Sequence, residues 1–162
     1  MRYILVLLTI PLSFCCVQQS VQQSFIDELK SGKHLYPFDG FSYDNISVEL
    51  RNDTIYVRAK CSELEGEDIY VFVNEEGRLI LRSYCLEALP GSVKLNAIEL
   101  ALSNETIKRN ASGIVTVRRI LPQTSAKFYV PKELFSVTWH GRRIVSALVD
   151  LDEGKVVRVY VG

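Results

Sequence analysis

The sequence predicts an α+β domain that is mostly β, with antiparallel strands and two short helices. Three observations predict it. Short runs rich in β-branched residues recur along the chain with turn residues between them. One stretch, Leu89 to Arg119, switches from strand periodicity to a helical one and back. The 162 residues are 48% hydrophobic and 23% charged, an ordinary globular composition that suits a single domain.

Within Leu89 to Arg119, Asn96 followed by Glu99 reads as an N-cap with its capping-box partner. Ala97, Ile98, Ala101 and Leu102 then lie on one stripe, predicting a helix over Ala97 to Ser103. An alternating strand through Val93, Leu95 and Ala97 is the competing reading. After Asn104 two polar clusters break the pattern, and Ile114, Val115 and Val117 resume a strand.

At the start of the chain, Arg2 precedes an apolar run from Ile4 to Phe14 that ends at Cys15 and Cys16. This reads as an export signal over residues 1–16, too short to span a bilayer. The mature chain, 17–162, is then a single β-rich domain without a transmembrane span, periplasmic or secreted. Leu12, Ser13, Phe14 and Cys15 have the outline of a lipoprotein cleavage box, but Phe14 stands where a small residue belongs. Lipid modification of Cys15 or Cys16 and ordinary cleavage after Cys16 both stay open.

The other elements follow in order. Val21, Phe25, Ile26 and Leu29 share a helical face, predicting a helix over Ser24 to Lys30 that ends at Gly32. Strands are expected over Ile46 to Leu50 and Thr54 to Cys61, then over Ile69 to Val73 and Arg78 to Tyr84, each pair joined by a short turn. Further strands are expected over Ala126 to Val130, Phe135 to Trp139, Arg143 to Leu151 and Val156 to Val161, about nine in all. There is no internal repeat in the residues, and Leu121 to Thr124 is the one place for a sub-boundary.

Nineteen basic and nineteen acidic residues balance to zero net charge, and the arginines are scattered, which argues against nucleic acid or an anionic membrane as partner. Phosphate-cradling glycine loops are absent from the sequence. His34 and His140 lie far apart with no nucleophile elbow, so the chain reads as a non-enzyme that needs no cofactor and no metal. Asp150, Asp152 and Glu153 read as turn chemistry because their spacing is not that of an EF-hand. Arg118, Arg119, Arg142 and Arg143 fall pairwise on opposite strand faces, which favours a solvated surface.

Cys61 and Cys85 remain after the signal. In an oxidising compartment a disulfide between them is the natural reading, closing a loop of about 25 residues and contributing roughly 3.5 kcal/mol in the chain-entropy picture; two buried thiols are the alternative. Asn45, Asn52, Asn104 and Asn110 each begin a glycosylation sequon. Phe128, Tyr129 and Trp139 are the candidate aromatic anchors for a partner, with core packing as the bland alternative for each.

The stretch Leu89 to Arg119 with its strand Ser112, Gly113, Ile114, Val115, Thr116, Val117 and Arg118, taken with the export signal and the later run Arg143 to Val161, resembles the N-terminal portion of the FlgA-type flagellar P-ring assembly chaperones. The resemblance covers the last half of the chain. It implies an exported, β-rich assembly factor whose partner is a flagellar ring or rod subunit. Those proteins continue into a further β-rich domain, so the resemblance implies a shortened member here. It carries over no site residues. A secreted or lipid-anchored surface glycoprotein of adhesion type is the second expectation.

Overall fold

A computed structural model describes the backbone of residues 13–162, with side chains from Gln22 onward. Eight strands form one antiparallel sheet in the order of the chain, a plain meander. They are β1 (Asn45–Arg51), β2 (Thr54–Lys60), β3 (Asp68–Glu75), β4 (Arg78–Leu86), β5 (Ile114–Ile120), β6 (Leu134–His140), β7 (Ile144–Asp150) and β8 (Lys155–Val161). The helices are α1 (Ser13–Lys30), α2 (Gly91–Leu102), α3 (Glu105–Asn110) and α4 (Pro122–Ser125), the last running into a 3₁₀ turn over Ala126–Phe128. The protein is therefore mostly β with short helices.

Turn chemistry sets the hairpins. Asn52 and Asp53 both take positive φ, 45° and 62°, and so do Glu76 and Gly77, 51° and 76°. Paired positive φ values match the twist of the flanking strands. Alternation then sorts the side chains. Val117, Val137, Ala147 and Val159 form one cross-strand row, and they pack against Ala97 and Ala101 of α2 and Ile107 of α3. In the first half, Ile55, Val57, Tyr70 and Phe72 lie beneath Leu29 of α1, with Phe25 partly buried against them. Each fully buried Leu, Val or Phe contributes about 1.5–3 kcal/mol, so both cores are substantial.

The architecture is thus a helical segment followed by a four-stranded meander, twice over. This repeat is invisible in the residues themselves. The halves meet at one strand pair, Leu86 with Arg119. Both members are buried, so the packed faces of the two halves are continuous. The reverse face carries exposed Arg58 and Arg118 and half-buried Thr116, Thr138 and Ser146.

Several expectations need correction. Asn96 does not cap a helix: α2 begins six residues earlier at Gly91, behind Pro90 at φ −58°, and Asn96 is an exposed mid-helix residue. Pro90 presets the entry and its missing N–H is not needed there. The competing strand through Val93 to Ala97 is likewise replaced by helix. Asn104, read as a pattern break, is itself a cap, its Oδ1 accepting from the amides of Thr106 at 3.0 Å and Ile107 at 3.3 Å. The strand expected over Ala126 to Val130 is helical turn instead. Pro122 starts it, and the buried Ser125 hydroxyl ties it to the carbonyls of Pro122 and Lys132. Among the described residues eight strands result, against the nine or so expected. The first helix is longer than Ser24 to Lys30, since α1 starts at Ser13.

Candidate functional site

The single Leu86–Arg119 pair leaves β4 and β5 diverging on both sides of it. Beyond Arg119 the chain meets Pro122, which has no N–H to donate, and turns into α4. The amide of Leu121, the next one along, does not join β4. It donates to the Tyr84 hydroxyl at 3.0 Å, which in turn donates to Thr124 Oγ1 at 2.6 Å. Tyr84 therefore props the strands apart. Beyond Leu86 the chain leaves in the other direction, and Leu89 pairs with Glu65 rather than with β5.

Two clefts result. The larger, about 570 Å³, lies between residues 81–84 of β4 and residues 120–127 and includes Tyr36, with an apolar floor of Leu81, Ile120 and Leu121. Its charged lining is Arg82 and Lys127. The smaller, about 420 Å³, lies between β5 and α2 and is lined by Glu65, Glu87 and Lys94 among others. Along the larger cleft β4 carries a bulge: Val71 pairs with Ser83 and Phe72 with Leu81, so Arg82 has no opposite number. A bulge re-aims side chains, and here Arg82 and Ser83 are both exposed. Arg82 forms an exposed ion pair with Glu75.

Beneath the junction lies a buried polar chain. The Tyr36 amide donates to the Tyr70 hydroxyl at 3.0 Å, Tyr70 bonds the Tyr43 hydroxyl at 2.6 Å, and Tyr43 donates to Asp68 Oδ2. Asp68 Oδ1 accepts from the Ala88 amide at 2.8 Å. Burial raises the Asp68 carboxyl above its ordinary value, against the pull of these two donors. Burial also pushes Tyr70 up to about 12 and raises Tyr43 further, so both phenols stay protonated. Arg119 completes the strut. It donates to the carbonyls of Pro37, at 3.0 Å, and Tyr36, pairs with Glu133 at 3.5 Å and lies over the Phe38 ring. This network ties the loop before β1 to β3, to the β4–α2 connection and to β5. It positions the seam, and Tyr36 is its one member that lines the larger cleft.

The residues singled out from sequence do not assemble into one site. Trp139 is buried in the second core; it sits on the inward row of β6, opposite Val115 and Val145. Tyr129 is 95% exposed, in the left-handed region at φ 64°. Phe128 is half-buried under the Arg158 guanidinium. The proposed aromatic surface is therefore corrected to Phe128 and Tyr129 on one turn, with Trp139 a core residue.

Cys61 and Cys85 are free thiols, which corrects the expected disulfide. Cys61 follows β2, whereas Cys85 lies on β4 opposite Ile69 of β3, which pairs with Arg58 of β2. The cysteines are two strands apart, about 9.5 Å by strand spacing, beyond the roughly 7 Å that a disulfide spans. They also take opposite faces. Cys61 packs with Leu64 and Ala88, and Cys85 shares the outer face with exposed Arg58. Burial and the nearby Glu87 push the Cys85 thiol up to about 11.

Cys15 and Cys16 fall on the helical backbone of α1, but their side chains lie outside the described residues, and residues 1–12 of the export signal expected over 1–16 lie wholly outside them. His34 pairs with Glu28 at 3.0 Å and His140 contacts Thr116 Oγ1 at 3.2 Å, in different halves. Burial opposes ionisation of Asp150, yet Lys132 at 2.7 Å and the Glu153 amide hold its carboxyl below the ordinary value. Among the described residues, no three His, Cys, Asp or Glu side chains gather as metal ligands. Arg118 and Arg119 do take opposite faces: Arg118 reaches Glu87 at 2.8 Å in solvent and Arg119 is buried. Leu121 to Thr124 lies within the connection of the paired strands β5 and β6. Asn45 and Asn52 are exposed at the two ends of β1, while Asn104 and Asn110 are half-buried around α3.

No protein-family model, curated protein or solved structure matches the chain. Among the described residues, no helix is long and apolar enough to cross a membrane.

Proposed function

We propose that this protein is a non-enzymatic, exported assembly or binding factor that engages a protein partner at the open seam between β4 and β5. The supporting observation is the single Leu86–Arg119 pair, which leaves strand backbone available for pairing inside a lined cleft. Strand addition of this kind draws its affinity from main-chain hydrogen bonds and its selectivity from alternate side-chain pockets. The export signal expected over residues 1–16 supports a periplasmic or secreted setting. A flagellar ring or rod subunit is the partner that the resemblance of Ser112 to Arg118 and Arg143 to Val161 suggests.

The test is capture by the mature chain, from Val17 onward, from an envelope extract of its own organism, with cross-links from bound proteins mapped onto the chain. Recovery of a ring or rod subunit, cross-linked next to the seam, is the expected result. A clean chain with no specific partner would refute the reading. A second reading, a surface glycoprotein of adhesion type, draws on the exposure of Asn45 and Asn52. A mature mass carrying glycan or lipid, with no partner captured, would favour it.

A further inference from the structure

The two clefts of the seam differ in charge, and that difference identifies what the larger one accepts. We infer that the β4 side receives an extended acidic segment of the partner, added as a strand along Leu81 to Tyr84. The inference rests on the seam being a protein-binding site and deepens that reading.

Backbone availability comes first. β4 is paired with β3 along its length, but on its other side, among the described residues, only Leu86 has a strand partner. Residues 81–84 therefore offer an unpaired edge, about 13 Å long at the rise of a strand. Tyr84, bonded to Leu121 and Thr124, keeps β5 from closing over it.

Side-chain selectivity comes next. An added strand alternates between two faces. One set of its side chains meets the apolar floor of Leu81, Ile120 and Leu121. The other set meets the bulged Arg82, with Lys127 across the cleft. Among the described residues, the lining holds two basic side chains and no acidic one, whereas the smaller cleft holds Glu65 and Glu87 against Lys94. Lys127 makes no ion pair among the described residues. Among the described residues Arg82 pairs only with the exposed Glu75, and a solvent-exposed pair of this kind contributes little, so a ligand carboxylate can replace it. An alternating apolar and acidic segment satisfies both faces; a basic one meets like charge.

The experiment uses two synthetic octapeptides, one alternating valine with glutamate and one alternating valine with lysine, titrated into the mature chain while amide hydrogen exchange is read by NMR. The glutamate peptide is expected to slow exchange at residues 81–84 at least tenfold and to leave β1 and β8 unchanged. The double variant Arg82→Glu, Lys127→Glu is expected to lose that protection and to respond to the lysine peptide instead. Both positions are exposed, so the variant keeps its melting transition. Equal protection by both peptides, or protection of β1 or β8 instead, overturns the inference. Partner capture cross-linked elsewhere on the chain, with residues 81–84 unprotected by either peptide, overturns both the inference and the seam as the docking place, and leaves only the broader assembly-factor role. Failure of capture removes that reading and leaves the peptide result to stand alone.

Discussion

Tyr84→Phe removes one oxygen from the wedge that separates the two halves, and its effect can be worked from the geometry. In the native protein that hydroxyl accepts from the Leu121 amide at 3.0 Å and donates to Thr124 Oγ1 at 2.6 Å. Leu121 is 5% exposed, so its amide loses its acceptor at a largely buried position. A buried donor left without an acceptor costs about 1–3 kcal/mol. Taking about 2 kcal/mol and a urea slope of about 2 kcal/mol per molar, the midpoint falls by about 1 M. The same 2 kcal/mol predicts about a thirtyfold faster exchange of the Leu121 amide, if exchange follows local opening. The phenyl ring keeps the packing of Tyr84 against the first core, so loss of apolar contact does not confuse the measurement. Urea denaturation and residue-resolved hydrogen exchange are the assays. A midpoint shift below about 0.3 M with unchanged Leu121 exchange would refute the idea that Tyr84 props the seam.

Three further outcomes test other parts of the structure. Because burial raises the Asp68 carboxyl in the folded state, its contribution is fully present at acidic pH, below the unfolded value, and is lost as pH rises through the folded one. The stability of the native protein relative to Asp68→Asn should therefore fall as pH increases above about 4, and a flat or opposite trend in pH-resolved melting would contradict the buried placement. Trp139→Ala should cost about 3–5 kcal/mol because it empties a core position, while Tyr129→Ala should stay within about 0.5 kcal/mol; similar losses in urea unfolding would overturn the separation of the two aromatics. Alkylation of the mature chain with iodoacetamide in denaturant, without reductant, should add two adducts, at Cys61 and Cys85, and a mass without adducts would restore the disulfide.

Much of the β framework was legible because it is written in local patterns. The alternation of Ile55, Val57 and Ala59 with Tyr56, Arg58 and Lys60 appears directly as buried and exposed faces of β2, and Asn52, Asp53 and Gly77 mark their turns by the positive φ they tolerate. The opposite fates of Arg118 and Arg119 follow from the same period of two. Local signals misled where one competed with another. Asn96 and Glu99 look like a capping box, yet Pro90 begins the helix earlier because Leu89 is held by Glu65, a partner far away in the chain. Ala126 to Val130 has strand-like composition, but Pro122 and the buried Ser125 fix a helical turn.

By itself, the sequence determined an antiparallel β-rich domain, most strand positions, the first hairpin turns and the alternation of faces along β2, since each of these depends on neighbours a few residues apart. Tertiary structure alone decided that the eight strands form one sheet joined in the middle by a single pair. It also decided that Cys61 and Cys85 stand two strands apart, that Trp139 faces a core, and that Tyr36, Tyr43, Tyr70, Asp68 and Arg119 meet beneath the seam. Those outcomes depend on which strands become neighbours and at which register, and that is settled by burial across the whole sheet, which no local spacing encodes.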